Sequence, residues 1–248
     1  MTERPLLHAE WRDLLLINFR VPVETVARLA PHGTEPDLHD GQTFVSVVGF
    51  DFRRVRLWGM AFPGHTSFPE INLRYYVRRK VGGEVRRGVV FLREVVPRRA
   101  AALMANFLFH ENYIARPMRN EFCKAGKSLA PGDTLEYAWA TRPGRGTAAS
   151  WNRLSARVAG PLQLPTAGSL EEFIVEHYWG YVRGRDGSTR EYRVVHEPWH
   201  IAPADNVAWE CNPADIATIP LAEYLSTPPH STIIAAGSAV SVYRACTV

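Results

Sequence analysis

The sequence predicts an α+β fold, a mainly antiparallel, barrel-like sheet with a few short helices. Three observations predict it. Segments of strand character, rich in Val, Phe and Tyr, dominate the chain. Two pairs of them are joined by the hairpin signals Gly82-Gly83 and Asp186-Gly187. Helix signals occur in only three short stretches.

In chain order, a helix is expected over Val23 to Leu29, stopped by Pro31. Asp40-Gly41 turns the chain into a strand from Thr43 to Arg56, and Trp58 to Phe68, with two Gly and a Pro, reads as a loop. The strand around Glu70 follows. Gly82-Gly83 joins it to a second strand, Glu84 to Val95. Arg98 to Phe109 carries Ala and Leu on one side and predicts a second helix. Strands at Thr134–Thr141 and Trp151–Val158 are joined by a Gly-rich turn. Ser169-Leu170-Glu171-Glu172 is a capping box that opens a third helix, to about Tyr178. Trp179–Arg185 and Thr189–His196 form a hairpin, and Val240–Arg244 is a closing strand. No repeat or low-complexity linker divides the chain, so residues 1–248 are expected to form a single domain.

The net charge of +4 over 248 residues makes no basic stripe of the kind nucleic acid needs. Paired arginines such as Arg78-Arg79 and Arg86-Arg87 read as solvated strand ends. Cys123, Cys211 and Cys246 are scattered, which suggests neither a disulfide framework nor a thiolate metal site. Met1-Thr2-Glu3-Arg4-Pro5 is no apolar signal segment, and no apolar run approaches a membrane span. A cytoplasmic protein with no membrane partner and no nucleic-acid partner is expected. Only Lys80, Lys124 and Lys127 are lysines, and all three read as exposed, which leaves few candidates for amine-based covalent catalysis.

Glu70, Asn72, Arg74 and Tyr76 stand at alternate positions and share one face of a strand. Ile71, Leu73, Tyr75 and Val77 make the opposite, core face. An acid, an amide and a guanidinium in a row can orient a small polar ligand. They can equally be a solvated face with a Glu–Arg pair. Tyr113 and Arg116, just past the second helix, either line a site or pack at a rim. His196-Glu197-Pro198-Trp199-His200 matches the letters of the zinc protease motif, which needs both histidines on one helical face. Here it follows a strand and contains Pro198, so no metal is expected. Gly126-Lys127-Ser128 lacks the earlier glycine of a phosphate loop, and no dinucleotide fingerprint or esterase elbow appears. No cofactor is expected.

Several segments together resemble the YqjF-like family of uncharacterised bacterial proteins, within the acetoacetate decarboxylase-like superfamily. They are Trp11 to Pro22, the F-P-E-x-N-x-R-x-Y run from Phe68 to Tyr76, Ser169 to Phe173 with Tyr178-Trp179, and His196 to Trp199. The resemblance implies a cone-shaped antiparallel barrel with a central pocket. It also implies where the family chemistry departs. The decarboxylases carry P-K-K-x-A after the helix, with the first Lys forming a Schiff base. That segment falls on Glu111 to Ala115, where Asn112 and Tyr113 replace the lysines. Glu70 falls on the superfamily's acidic position, and decarboxylase activity does not transfer.

The resulting expectation is a pocket protein for a small anionic or carbonyl-bearing molecule. Arg74 pairs an oxyanion, Asn72 orients it, and Glu70 fixes Arg74 or accepts a proton. Tyr76, Tyr113, Arg116 and His196 complete the candidate set. The rival is a lyase or hydrolase with Glu70 as general acid/base and Arg74 as oxyanion partner. A third reading is a structural protein with a filled barrel. Assembly into a homo-oligomer stays open.

Overall fold

The computed structural model describes residues 4–142, 150–184 and 186–248. The expected Gly-rich turn, Arg185 at the end of an expected strand, and the first three residues of the N-terminal segment lie outside the described residues.

The chain opens with β1 (Leu7–Val21), α1 (Val23–Leu29), a short β2 (Glu35–Pro36) and β3 (Thr43–Leu57). β4 (Phe68–Val81) and β5 (Glu84–Val96) form the expected hairpin, turning on Gly82 and Gly83 at φ 54° and 89°. α2 (Arg99–Phe109) leads to β6 (Tyr113–Ala115), β7 (Met118–Cys123), β8 (Thr134–Ala140) and β9 (Trp151–Val158). Then come α3 (Leu170–Val175), β10 (Trp179–Arg183), β11 (Thr189–His196), β12 (Ile201–Glu210) and α4 (Ile219–Leu225). β13 (Ser231–Ala235), β14 (Ala239–Val242) and β15 (Cys246–Thr247) finish the chain.

The sheet is mostly antiparallel and closes on itself. β14, β11, β10, β5, β4, β3 and β1 are neighbours in that order, and β1 pairs back to β14. β1 can do this because it serves two sheets. Its first half, Leu7–Glu10, pairs β14, and its second half, Leu14–Asn18, pairs β13. The change of partner occurs at a register shift around Asp13, whose φ is 57°. From β13 an arm of β12, β9, β8 and β7 folds away. The result is a ring with a second sheet beside it, not a perfect barrel.

Two apolar cores follow from this arrangement. One lies inside the ring and includes Leu16, Val48, Phe50, Tyr76, Val194 and Val240. The other lies where the arm covers the ring, and includes Ile71, Leu73, Tyr75, Tyr137, Trp139 and Leu154. Gly49 permits this packing, because a Cβ there would stand 2.7 Å from the Tyr137 ring. β4 is therefore buried on both faces, with its polar residues toward the ring interior.

Several elements differ from expectation. β7 occupies a stretch for which no element was expected, since its polar residues alternate on an edge strand. β12 was not expected, because Pro203 and the register shift between Asp205 and Ala208 break its period. α4 makes a fourth helix. The third helix stops at Val175, short of Tyr178. Lys124 is not exposed. Its side chain is 13% accessible, pairs with Asp13 and lies over the Phe122 ring.

Candidate functional site

Hydrogen-bond register sets the site. Across the sheet Val48 stands opposite Asn72, Asn72 opposite Glu94, and Glu94 beside Tyr113. Facing residues in a pair share a face. One rung thus carries Asn72, Glu94 and Tyr113 on β4, β5 and β6, with Glu70 and Arg74 two residues to either side of Asn72. A register shift on β5 changes which residue faces Arg74. It sets Phe91, not Leu92, opposite that residue.

These side chains line a cavity of about 80 Å³ inside the ring. Its walls are mostly apolar and aromatic, among them Phe50, Phe91, Phe109 and Trp199. Glu70, Asn72 and Arg74 are 2%, 3% and 7% exposed. The expected Glu70–Arg74 pair does not form. Among the described residues Arg74 makes no ion pair. Its guanidinium donates to the Ile174 carbonyl at 3.1 Å and lies over the Tyr76 ring at 5.6 Å. Glu70 Oε1 accepts from the Asn72 amide at 3.4 Å. The carbonyl of Ile174, at the end of α3, takes the place of a carboxylate for Arg74.

The structure brings in acids that the sequence reading missed. Glu94 and Glu111 line the same cavity as Glu70. Glu111 accepts from the Tyr192 hydroxyl at 2.8 Å. Tyr192 can lie there because Gly180 has no Cβ, which would meet the ring at 2.1 Å. Burial pushes the Glu70 carboxyl up to about 8, against interaction with Asn72 and Tyr113. Burial also pushes Glu111 up to about 8, against the Tyr192 hydrogen bond. Glu94 is raised well above the carboxylate range by burial, then by repulsion from Glu111 and Glu70. Tyr113 is raised for the same reasons, burial first and the glutamates second.

His177 was also missed. It follows α3, lines the cavity and packs at a tilt against the Tyr76 ring, centroids 4.8 Å apart. Burial depresses its imidazole to about 4, against the pull of Asp37, whose Oδ2 lies 3.8 Å from Nε2. Only the placing of Glu111 just after a helix, in the segment that the resemblance had marked, hinted at its role. Glu94 reads as one more charge in a strand, and His177 as an isolated residue.

The other expected residues divide. Tyr113 and His196 line the cavity. His196 stacks between Tyr178 and Trp199, at 4.8 and 4.7 Å, and its Nδ1 lies 2.9 Å from the Glu197 carbonyl. The stretch after His196 is not helical, so the His196 and His200 spacing does not build a helical metal face. Tyr76 packs behind the cavity on Ser46, Phe173 and His177. Arg116 lies elsewhere, in a surface pocket with Arg142 and Asp215, because it follows β6 past the ring. Asn112 is exposed. None of the described residues lining the cavity is a lysine.

Several buried polar atoms around the cavity have no hydrogen-bond partner among the described residues. They are Glu70 Oε2, Asn72 Oδ1, Arg74 Nε, Glu94 Oε2, Glu111 Oε2 and both His177 nitrogens. Buried polar groups are nearly always satisfied by protein, water or a bound molecule, so this cluster calls for such a partner. Chemically the set offers one permanent cation, carboxyls that hold protons near neutrality, and a phenol.

Comparison with known proteins agrees with this architecture. The chain is 27% identical over 203 residues to the uncharacterised protein YqjF of Bacillus subtilis (strain 168), covering 81% of this chain and 76% of that protein. Its fold is similar to the enduracididine biosynthesis enzyme MppR complexed with pyruvate, with TM-score 0.65 and 15% identity over 100% of this chain and 91% of that one. It is also similar to an acetoacetate decarboxylase-like enzyme from Sphingomonas wittichii RW1, with TM-score 0.63 and 12% identity over 99% of this chain and 94% of that one. At such identities the likeness concerns the fold alone. The profile of DUF2071, an uncharacterised conserved protein family, matches residues 8–239, and the chain belongs to that family.

Proposed function

We propose that the ring cavity binds a small carbonyl-bearing acid. Its carboxylate or enolate oxygen lies on Arg74, and its carbonyl oxygen accepts from protonated Glu70 or from Tyr113. The observation that carries this reading is the set of unpartnered atoms, Arg74 Nε, Asn72 Oδ1 and Glu70 Oε2, on one buried strand face. Removing water from an unpaired guanidinium is costly, and an anion repays it. Pyruvate in the structure of MppR, a protein of similar fold, supports the ligand class. The reading takes the chain as a single domain in the cytoplasm of a bacterium, with no nucleic acid or membrane as partner.

A second reading makes the same cavity an active site. The observation that favours it is Glu70 itself, held to about 8 by burial. A carboxyl poised near neutrality suits general acid/base work. Arg74 would then steady an oxyanion in a lyase or hydrolase reaction.

Calorimetric titration with pyruvate and 2-oxobutanoate, followed by turnover assays on 2-oxo acids, enones and lactones, separates the two. Binding that falls at least ten-fold in Arg74→Met supports the site. Turnover lost in Glu70→Gln with binding kept supports the enzyme. Binding unchanged in Arg74→Met contradicts both.

A further inference from the structure

A cleft of about 170 Å³ lies between α2 and the loop from β3 to β4. It shares Leu7, Phe52, Glu70, Phe109 and Tyr113 with the ring cavity, so the two spaces adjoin across these side chains. Their chemistry differs sharply. Beyond Glu70 and Tyr113 the cleft is walled on the sheet side by Val55, Leu57 and Phe68, with Phe62 and His65 on the loop. On the helix side α2 turns Ala101, Met104, Ala105 and Leu108 toward it. Positions three and four apart share a helix face, so one stripe of α2 lines the cleft. Ala101 and Ala105 are small where Leu or Phe would fill the space. Within α2 only Ala102 is fully buried, so the helix stands off the sheet.

An apolar cavity of about 150 Å³ takes a molecule such as benzene. An open apolar cleft beside a polar site is suited to methylene groups. We propose that the molecule held at Glu70 and Arg74 carries an unbranched apolar tail, and that this tail lies in the cleft between α2 and the β3–β4 loop. By the same volume comparison the tail has about six carbons. The substrate class is then a medium-chain 2-oxo or related carbonyl acid. This rests on the reading of the cavity as a carbonyl-acid site.

The test is calorimetric titration with 2-oxo acids from pyruvate to 2-oxodecanoate, beside primary alkanols of matching tail length. Affinity is expected to rise about four-fold per methylene. The rise should level off beyond about six tail carbons. Ala105→Phe and Ala101→Leu, both checked by thermal melting, should flatten that slope in proportion to the volume each adds. Equal binding of pyruvate and 2-oxooctanoate overturns the tail and leaves the carbonyl site standing. A slope kept unchanged in both variants also overturns it, because the tail then lies elsewhere. Alkanols that bind with the expected slope while no 2-oxo acid binds support the cleft and overturn the head group. Failure of both series overturns both.

Discussion

Glu70, Glu94 and Glu111 cannot all ionise inside one small cavity. Burial, and for Glu94 its two neighbours, hold the protons on. In the folded chain Glu70 and Glu111 keep theirs to about pH 8, whereas unfolding returns them to the ordinary value of 4.5. The folded state therefore binds more protons across that window, and stability falls as pH rises through it. His177 acts in the opposite sense. Its imidazole protonates at about 4 when folded and at 6.5 when free, so its contribution grows with pH up to 6.5. Above 6.5 the glutamates act alone. Urea melts should show stability falling between pH 6.5 and 8.5, by on the order of 2 kcal/mol per glutamate. Glu111→Gln should make the fall shallower. Stability that climbs over this range is incompatible with buried protonated acids. Arg74 and Glu70 supply a second check, since no ion pair joins them. A double-mutant cycle of Glu70→Gln with Arg74→Met should give a coupling energy below about 0.5 kcal/mol. Coupling of several kcal/mol would restore the pair that the strand spacing suggested.

Short elements hold the site's distal side. Ser169 caps α3, accepting from the Glu172 amide at 3.2 Å, while the Glu172 carboxylate accepts from Gly168 N at 2.6 Å. The capping box was legible, though its second arm reaches one residue further back than the motif implies. α3 then supplies the Ile174 carbonyl to Arg74, and His177 follows it. Ser169→Ala should cost about 1 kcal/mol in urea melts and weaken ligand binding through Arg74. Gly180→Ala should be worse, because the new Cβ overlaps the Tyr192 ring and breaks its bond to Glu111. A loss of about 2–3 kcal/mol is expected, against about 1 kcal/mol for Tyr192→Phe. If Gly180→Ala melts like wild type, Tyr192 does not pack there. Strands with a Val-rich or strictly alternating pattern were legible to within a residue or two, as in β3, β5 and β9. β12 and β7 were not, since proline, a register shift and polar edge positions erase the period that betrays a strand.

The whole molecule works through closure. β1 pairs β14 at one end and β13 at the other, so one strand both seals the ring and starts the sheet that covers it. This explains why the polar row on β4 was readable from spacing, while its partners were not. Alternation showed that Glu70, Asn72 and Arg74 share a face. Only the register of β5 and β6 against β4 shows that Glu94 and Tyr113 join them, and only the path after α3 brings His177 in. Arg116 lay close to Tyr113 in sequence, yet β6 carries it out of the ring.

The central claim is that the ring holds a proton-rich carbonyl-acid site. Carbon-13 NMR of carboxyl-labelled glutamate, titrated from pH 4 to 10 with and without pyruvate, tests it most directly. Resonances removed by Glu70→Gln and Glu111→Gln should titrate near pH 8 and move when pyruvate is added, but not in Arg74→Met. Glutamates that all titrate near 4.5 and ignore pyruvate would contradict the claim.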